Sequence, residues 1–324
     1  MSRGAGADGR RQGGGRARPS GPTPLRFGLV GTGAWAMTTH AVALTQTADV
    51  AFAGVWGRDA SKTRALAAQF GVRAYPSYDA LLEDVDAVAF AVPPDVQAEL
   101  ASQAAAAGTH VLLEKPAALT PEAAGGLERA VSASAVACLT FFTLRFDEIQ
   151  RAWLGEATAD GSWQGAWALW LSSAMLPGGA ASGSGWRMDK GALWDVGPHA
   201  LSMIVPALGP VAAVYAEAGE EDLTHVVMRH RSGASSTMSL TLNAPSAAGR
   251  VDLGLWGDRG VTRMPASDIP YARTLGGALH ELASQARSGE RDHACDMRLS
   301  RHVVDVLYAA ESARRQGRPV DVGG

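Results

Sequence analysis

The stretch Phe27-Gly28-Leu29-Val30-Gly31-Thr32-Gly33-Ala34-Trp35-Ala36 decides the fold. Phe27–Val30 is a short apolar run of the kind that forms a buried strand, and the glycines after it mark a turn. Gly31-Thr32-Gly33-Ala34-Trp35-Ala36 reads G-x-G-x-x-A and opens a helical stretch. In a strand–turn–helix setting each position has a purpose. The first glycine allows the tight turn, and the second lets backbone approach a pyrophosphate. The small third residue lets helix and strand pack closely. The helix N-terminus then favours the phosphate charge. These six residues are the expected cradle of a dinucleotide.

The same alternation continues outward. Val50–Trp56 is a second apolar strand, followed by a helix over Ser61–Phe70 with Leu66, Ala67 and Phe70 on one face. Val85–Val92 is a third strand, ended by Pro93-Pro94. The Ala-rich stretch Val96–Ala107 is helical and stops at Gly108, and His110–Leu113 begins another strand. Thr120-Pro121-Glu122 supplies an N-cap, a proline at the first helical position and an early acid for the next helix. Strands apolar on both faces, alternating with helices, predict a doubly wound parallel sheet of Rossmann type over residues 25–145.

The end of the second strand bears on the cofactor. An NAD site places Asp or Glu there to accept from the ribose 2′-hydroxyl. This chain reads Val55-Trp56-Gly57-Arg58-Asp59, with Gly57 at that place and Arg58 after it. A guanidinium without a neighbouring acid suits a 2′-phosphate, which favours NADP(H). NAD(H) stays possible, with Asp59 serving one residue late.

Beyond about Asp147 the texture changes. Trp167, Leu169 and Leu171 alternate with Ala168, Trp170 and Ser172, and Met238–Leu242 and Val251–Leu255 alternate likewise. Period two predicts mostly antiparallel strands with one buried face. Two closing helices fall near Leu275–Arg287 and Met297–Gln316, so residues 146–324 read as an α+β domain for substrate and oligomer contacts.

Length and charge bound the rest. At 324 residues the chain holds two domains. Residues 1–24 hold five arginines and one acid, a net of +4; with −3 for the whole chain, residues 25–324 carry −7. A Gly/Arg-rich tail on an acidic body reads as disordered, and the body is not that of a nucleic-acid binder. Arg10-Arg11 resembles a twin-arginine export signal, but the apolar segment after it, Leu25–Met37, is the glycine-bearing cradle. No run approaches the ~20 residues of a membrane span. Cys138 and Cys295 lie far apart and outside any C-x-x-C pattern, which suits a reducing, cytoplasmic setting.

His110-Val111-Leu112-Leu113-Glu114-Lys115-Pro116 resembles the HVxxEKP signature of the Gfo/Idh/MocA oxidoreductases. About eighty residues on, Lys190-Gly191-Ala192-Leu193-Trp194-Asp195-Val196-Gly197-Pro198-His199 is similar to their second signature, D-x-G-x-H after a Gly-rich stretch. Gly185-Trp186-Arg187, Leu208-Gly209 and Gly317–Val320 fit as well, so the resemblance runs over residues 25–322. It implies an NAD(P)-dependent dehydrogenase or reductase of sugars, polyols or related alcohols and ketones. By the resemblance Lys115, Asp195 and His199 are the catalytic residues, and Pro93, Glu114 and Lys115 itself join the cradle at the cofactor. Trp186 and Arg187 are candidates for the nicotinamide end or the substrate, and the second sheet is the face such relatives use to form homo-oligomers.

The chemistry is sensible for those residue types. Hydride transfer to a ketone builds negative charge on oxygen, which an ammonium stabilises. A histidine with an unperturbed pKa delivers a proton near neutrality. Asp195 and His199, four apart, would share a face of one helical turn. They could be two metal ligands, but no third ligand is placed nearby, and no metal is expected. Of the 29 basic residues only Lys62, Lys115 and Lys190 are lysines, which makes Lys115 a deliberate choice.

Two positions depart from the pattern. Gln97 stands where a histidine is frequent, so no proton relay is assigned to it, and Leu144 stands where many relatives have asparagine. Trp163, Trp167 and Trp170 read as packing for a sheet face or interface. Two alternatives are a cofactor-binding sensor resembling the galactose-responsive repressor branch, and a ketoreductase of nucleotide-linked deoxysugars.

Overall fold

In the computed structural model, which describes residues 23–179 and 185–323, the first strand is β1 (Leu25–Val30), buried from Phe27 onward. The chain then passes through a π-helical turn, Ala36–His40, into α1 (Ala41–Gln46). The alternation continues with β2 (Val50–Trp56), α2 (Ala60–Phe70), the short β3 (Arg73–Ala74), α3 (Tyr78–Leu82), β4 (Ala87–Phe90) and α4 (Pro94–Ala106). After these come β5 (His110–Glu114), α5 (Pro121–Ser134) and β6 (Cys138–Phe141). All six strands are parallel, in the order β3-β2-β1-β4-β5-β6. The winding reverses between β1 and β4. In such sheets ligands bind outside the carboxyl ends of the strands at that point.

Local chemistry sets the ends of these elements. The Asp59 side chain accepts from the Ser61 and Lys62 N–H groups and caps α2, which Gly71 ends in the left-handed region (φ +65°). Thr120 caps α5 through the Ala123 N–H, with Pro121 at its start. The strand expected over Val85–Val92 is shorter than predicted because Asp86 accepts from the Arg26 N–H at 2.8 Å and Pro93 begins the entry to α4.

The second part comprises α6 (Thr143–Phe146), α7 (Glu148–Asp160), β7 (Trp163–Leu171), α8 (Gly185–Asp195), α9 (Gly197–Leu208) and β8 (Val211–Ala218). It continues with β9 (Thr224–His230), β10 (Ser235–Thr241), β11 (Arg250–Gly257), β12 (Gly260–Arg263), α10 (Tyr271–Ser288), α11 (Met297–Gln316) and β13 (Val320–Asp321). Its sheet runs β12-β11-β7-β10-β9-β8-β13, antiparallel except where β10 lies parallel to β7. One face buries Ala166, Ala168, Val226, Met228, Met238, Leu240, Leu253 and Leu255. α9 and α11 pack on that sheet, α11 along β8 and also against α5 of the first layer, while α10 lies against α1 and β5.

Asp195 and His199 do not share a continuous helix as the spacing suggested. α8 ends at Asp195 and α9 begins at Gly197, with Val196 between them. The basic tail expected over residues 1–24 lies, apart from its last two residues, outside the described residues. No helix among the described residues is long and apolar enough to cross a membrane.

Candidate active site

Lys115 follows directly on β5, at the carboxyl edge of the first sheet, and its side chain is 9% exposed. Its Nζ donates to the Asp195 carbonyl oxygen at 2.6 Å and to Asp195 Oδ1 at 2.8 Å. The same Oδ1 accepts from Arg187 Nε at 2.9 Å. Burial alone would raise the Asp195 carboxyl, but Lys115 and then Arg187 hold it well below the usual carboxylate range. The carboxylate is therefore ionised and shared between two cations.

His199 lies in the first turn of α9, buried, with its ring stacked on Trp170 at 5.6 Å between centroids and 21° between planes. Its Nδ1 is buried without a hydrogen-bond partner among the described residues. Burial, reinforced by the nearby Lys115, pushes its pKa well below the ordinary value, while Asp195 opposes the shift. The expectation of a histidine titrating near neutrality does not hold for the folded site. This imidazole is neutral there, able to accept a hydrogen bond or a proton.

Gln97 holds the backbone on both sides of Lys115. From α4, its Oε1 accepts from the Glu114 N–H at 2.8 Å, and its Nε2 donates to the carbonyls of Glu114 at 2.8 Å and Pro116 at 3.2 Å. A flat amide satisfies donor and acceptor at once, which explains glutamine at a fully buried position. The Glu114 carboxylate in turn accepts from Trp35 Nε1 at 2.6 Å and bonds His40 Nε2 at 2.9 Å. Trp35 also meets the Tyr271 ring of α10 edge-on at 5.4 Å. The cradle, the lysine strand and α10 are thus linked through Glu114.

Beside this cluster a cleft of about 670 Å³ is lined by Gly31, Thr32, Gly33, Gly57, Arg58 and Pro93, among others. It adjoins a second of about 530 Å³ that shares Gly57 and Arg58 and adds Arg64, Tyr75 and Tyr78. The Gly31 N–H bonds the Trp56 carbonyl at 2.9 Å, and Gly31 has φ +128°. A side chain there would strike the Ala91 carbonyl oxygen at 2.3 Å. At Gly33 no protein atom lies within 4 Å of where a Cβ would stand. What that glycine preserves is the open volume of the cleft it lines. Ala36 is buried where helix meets strand, whereas Ala34 and Trp35 are exposed beside the cleft. A dinucleotide fits these residues: a strained turn, an open glycine backbone and a helix entry at the switch point.

The end of β2 holds no acid. A Cβ at Gly57 would lie 2.8 Å from Thr32 Cγ2, so a larger residue there would displace Thr32. Asp59 accepts from two backbone N–H groups at 2.9 and 3.0 Å as the α2 cap, and these bonds lower its pKa. Arg58 has no ion-pair partner among the described residues.

The structure brings Lys115, Asp195, His199 and Arg187 together, with Trp186 stacked under the Arg187 guanidinium at 4.6 Å. Trp170, expected to pack a sheet face or an interface, packs on the sheet face that α9 covers, with its ring against His199. The structure also adds Gln97 and His40, which the sequence reading had not used. His40 lies four residues beyond Ala36, but only the fold shows that it reaches Glu114.

Comparison with known proteins agrees with the fold. Residues 25–141 match the family described as "Oxidoreductase family, NAD-binding Rossmann fold", and residues 167–263 match "GFO/IDH/MocA C-terminal domain". A D-xylose 1-dehydrogenase (NADP(+)) of Haloferax volcanii is 29% identical over 237 residues, 68% of this chain and 70% of that protein. A dTDP-3,4-didehydro-2,6-dideoxy-alpha-D-glucose 3-reductase of Saccharopolyspora spinosa is 36% identical over 99 residues, 30% of each chain. Several curated relatives, this reductase included, are matched over only 24% to 30% of their own length. Among solved structures, levoglucosan dehydrogenase in complex with NADH and L-sorbose superposes with a TM-score of 0.82 at 19% identity, covering 93% of this chain and all of that one.

Proposed function

Because the chain belongs to the Gfo/Idh/MocA family of oxidoreductases, we propose that it transfers a hydride between NADP(H) and a sugar, polyol or related secondary alcohol or ketone. The observation that supports this most is the Lys115–Asp195 pair, formed between the end of β5 and the end of α8 beside a dinucleotide cleft and next to a buried, neutral His199. Nicotinamide bound in the cleft would supply or take up the hydride. Lys115 would hold the substrate oxygen and stabilise its negative charge, in a nearly water-free place where such a charge-assisted bond is strong. Asp195 keeps the lysine aimed and is itself held by Arg187. His199 can accept a proton from a substrate hydroxyl in the oxidative direction, and its protonated form would return one in the reductive direction.

NADP(H) is favoured over NAD(H) by three features of the β2 end: no acid, an Asp59 already engaged as a helix cap, and an Arg58 in the cleft with no ion-pair partner among the described residues. The name of the Haloferax relative points the same way. We further propose a homo-oligomer through the outer face of the second sheet. There Tyr215, Val227, Thr237 and Trp167 are register neighbours across four strands. Trp167 and Trp256 lie flat over Gly254 and Gly165, where any Cβ would come within 2.5 Å of a ring atom. The two buried free thiols, Cys138 and Cys295, suit a cytoplasmic setting.

A panel of aldoses, polyols, keto-sugars and nucleotide-linked sugars, assayed at 340 nm with both cofactors, tests the reaction. Lys115-dependent turnover on a free sugar or polyol is expected. NADPH binding with no Lys115-dependent turnover on any of them would replace the enzyme reading by the sensor reading.

A further inference from the structure

Asp195 reaches Lys115 across a break in its own helix. α8 is interrupted at Gly191 (φ +64°, ψ −166°), and helical geometry resumes at Ala192. A restart of this kind leaves the Ala192 N–H without an acceptor in its own helix. Asp222, in the loop between β8 and β9, supplies one, its Oδ2 accepting from that N–H at 2.9 Å. The same carboxylate accepts from the Leu242 N–H at 3.0 and 3.1 Å, the Thr241 hydroxyl at 2.6 Å and the Asn243 side-chain amide at 3.0 Å. Four donors from two separate places converge on one acceptor-only group. A Cβ at Gly191 would stand 3.1 Å from the Asp222 Cβ, so this approach also depends on glycine.

We propose that Asp222 is a positioning residue for the Lys115–Asp195 pair. It ties the restart of the helix to the end of β10. Ala192 is one turn before Val196, whose N–H it receives at 2.9 Å, so a shift at Ala192 passes straight to Asp195. The carbonyl and carboxylate of Asp195 both meet Lys115 Nζ, and both would lose their aim. This rests on the roles given above to Lys115 and Asp195, while Asp222 itself touches neither.

Asp222→Asn is nearly isosteric but turns an amide NH2 toward backbone N–H groups. It should lower kcat about tenfold or more, since small misplacements at a reacting centre are costly, with substrate KM and NADPH Kd changed by less than about twofold. In an Asp195→Asn background the same change should cost less than about twofold, because both act through one group. Amide hydrogen exchange over residues 192–199 should rise, and that over residues 25–114 should not. Thr241→Val, which loosens the same carboxylate from β10, should show the same pattern more weakly. Unchanged exchange over 192–199 in Asp222→Asn overturns the proposal. So does a kcat loss that adds in full to that of Asp195→Asn. If the wild type turns over no substrate, the reaction assigned above falls, and the exchange measurement alone decides the anchoring.

Discussion

Lys115 Nζ lies 2.6 Å from the carbonyl oxygen of Asp195 and 2.8 Å from its carboxylate, so one ammonium joins the edge of the parallel sheet to the helix pair of the second part. The two residues are only about a tenth exposed. A charge pair this buried would be a poor stabilising device, because desolvation offsets most of the attraction. Its position beside the cleft supports the chemical role proposed for it.

Lys115→Ala should therefore lower kcat by about two orders of magnitude or more, the range seen when a stabiliser of developing charge is removed. NADPH affinity should stay near that of the wild type, because the cradle is built from the first two strands. Steady-state kinetics and a fluorescence titration check both parts. A kcat like the wild type's would remove the lysine from the chemistry.

Arg58→Ala should weaken NADPH binding far more than NADH binding. Loss of one charge-assisted contact to a phosphate is expected to cost about 1.5–3 kcal/mol, or roughly 10- to 150-fold in Kd. Calorimetric titration with both cofactors measures it. Equal losses for the two would end the case for NADP(H).

Gln97→Leu should destabilise the protein by about 2–4 kcal/mol, because it strands buried N–H and C=O groups at Glu114 and Pro116. It should also lower kcat, since those groups flank Lys115. Urea unfolding and kinetics on the same preparation test it. Wild-type stability would show that water or a backbone shift replaces the amide.

The stability of the fold should fall in mild acid, and His302 is one identifiable cause. It is part-buried and its Nε2 accepts from the Val211 N–H at 2.9 Å. Burial, then the nearby Arg231 and His230, lower its pKa to about 4 from an ordinary value of 6.5. The unfolded chain thus takes up the proton first. The contribution is complete above about pH 6.5 and is lost as the pH falls toward 4. His302→Gln keeps an acceptor without titrating, so its urea midpoint should drop less between pH 7 and 4.5. His199, His230 and His110, also lowered by burial, act in the same direction, so the slope should shrink rather than vanish.

Val227→Asp, at a position half exposed on the outer face of the second sheet, should shift the sedimentation coefficient toward that of a monomer. A charge in the middle of an apolar contact is strongly disfavoured unless paired. An unchanged sedimentation profile would place any assembly on another face.

Much of the fold was legible in the sequence, because its determinants are local. Apolar runs separated by capped helices dictate a covered parallel sheet, and the G-x-G-x-x-A spacing states what backbone must do at one turn. The helix expected near Met297–Gln316 spans those residues in the structure and is capped by Gly317, since apolar period and a C-cap glycine are written side by side. The period-two stretches likewise announced the second sheet. Lys115, Asp195 and His199 were legible as candidates through two short signatures.

What those candidates do to one another was not legible, since it depends on burial and on partners far along the chain. Spacing put Asp195 and His199 on one helical turn, yet the first ends one helix and the second begins the next, with Val196 between those helices. An ordinary histidine pKa belongs to an imidazole in water, and the fold buries this one beside a lysine. Trp170 packs a sheet face as its sequence suggests, but only the fold shows that His199 is what it packs against, and only α4 places the Gln97 amide across the Lys115 backbone. The layers, the turns and the roster of reactive groups are written in the chain, because they follow from neighbours within a few residues. Which groups share a charge, which are kept neutral and which hold others in place emerges with folding, because desolvation and long-range contact exist only once the chain has closed on itself.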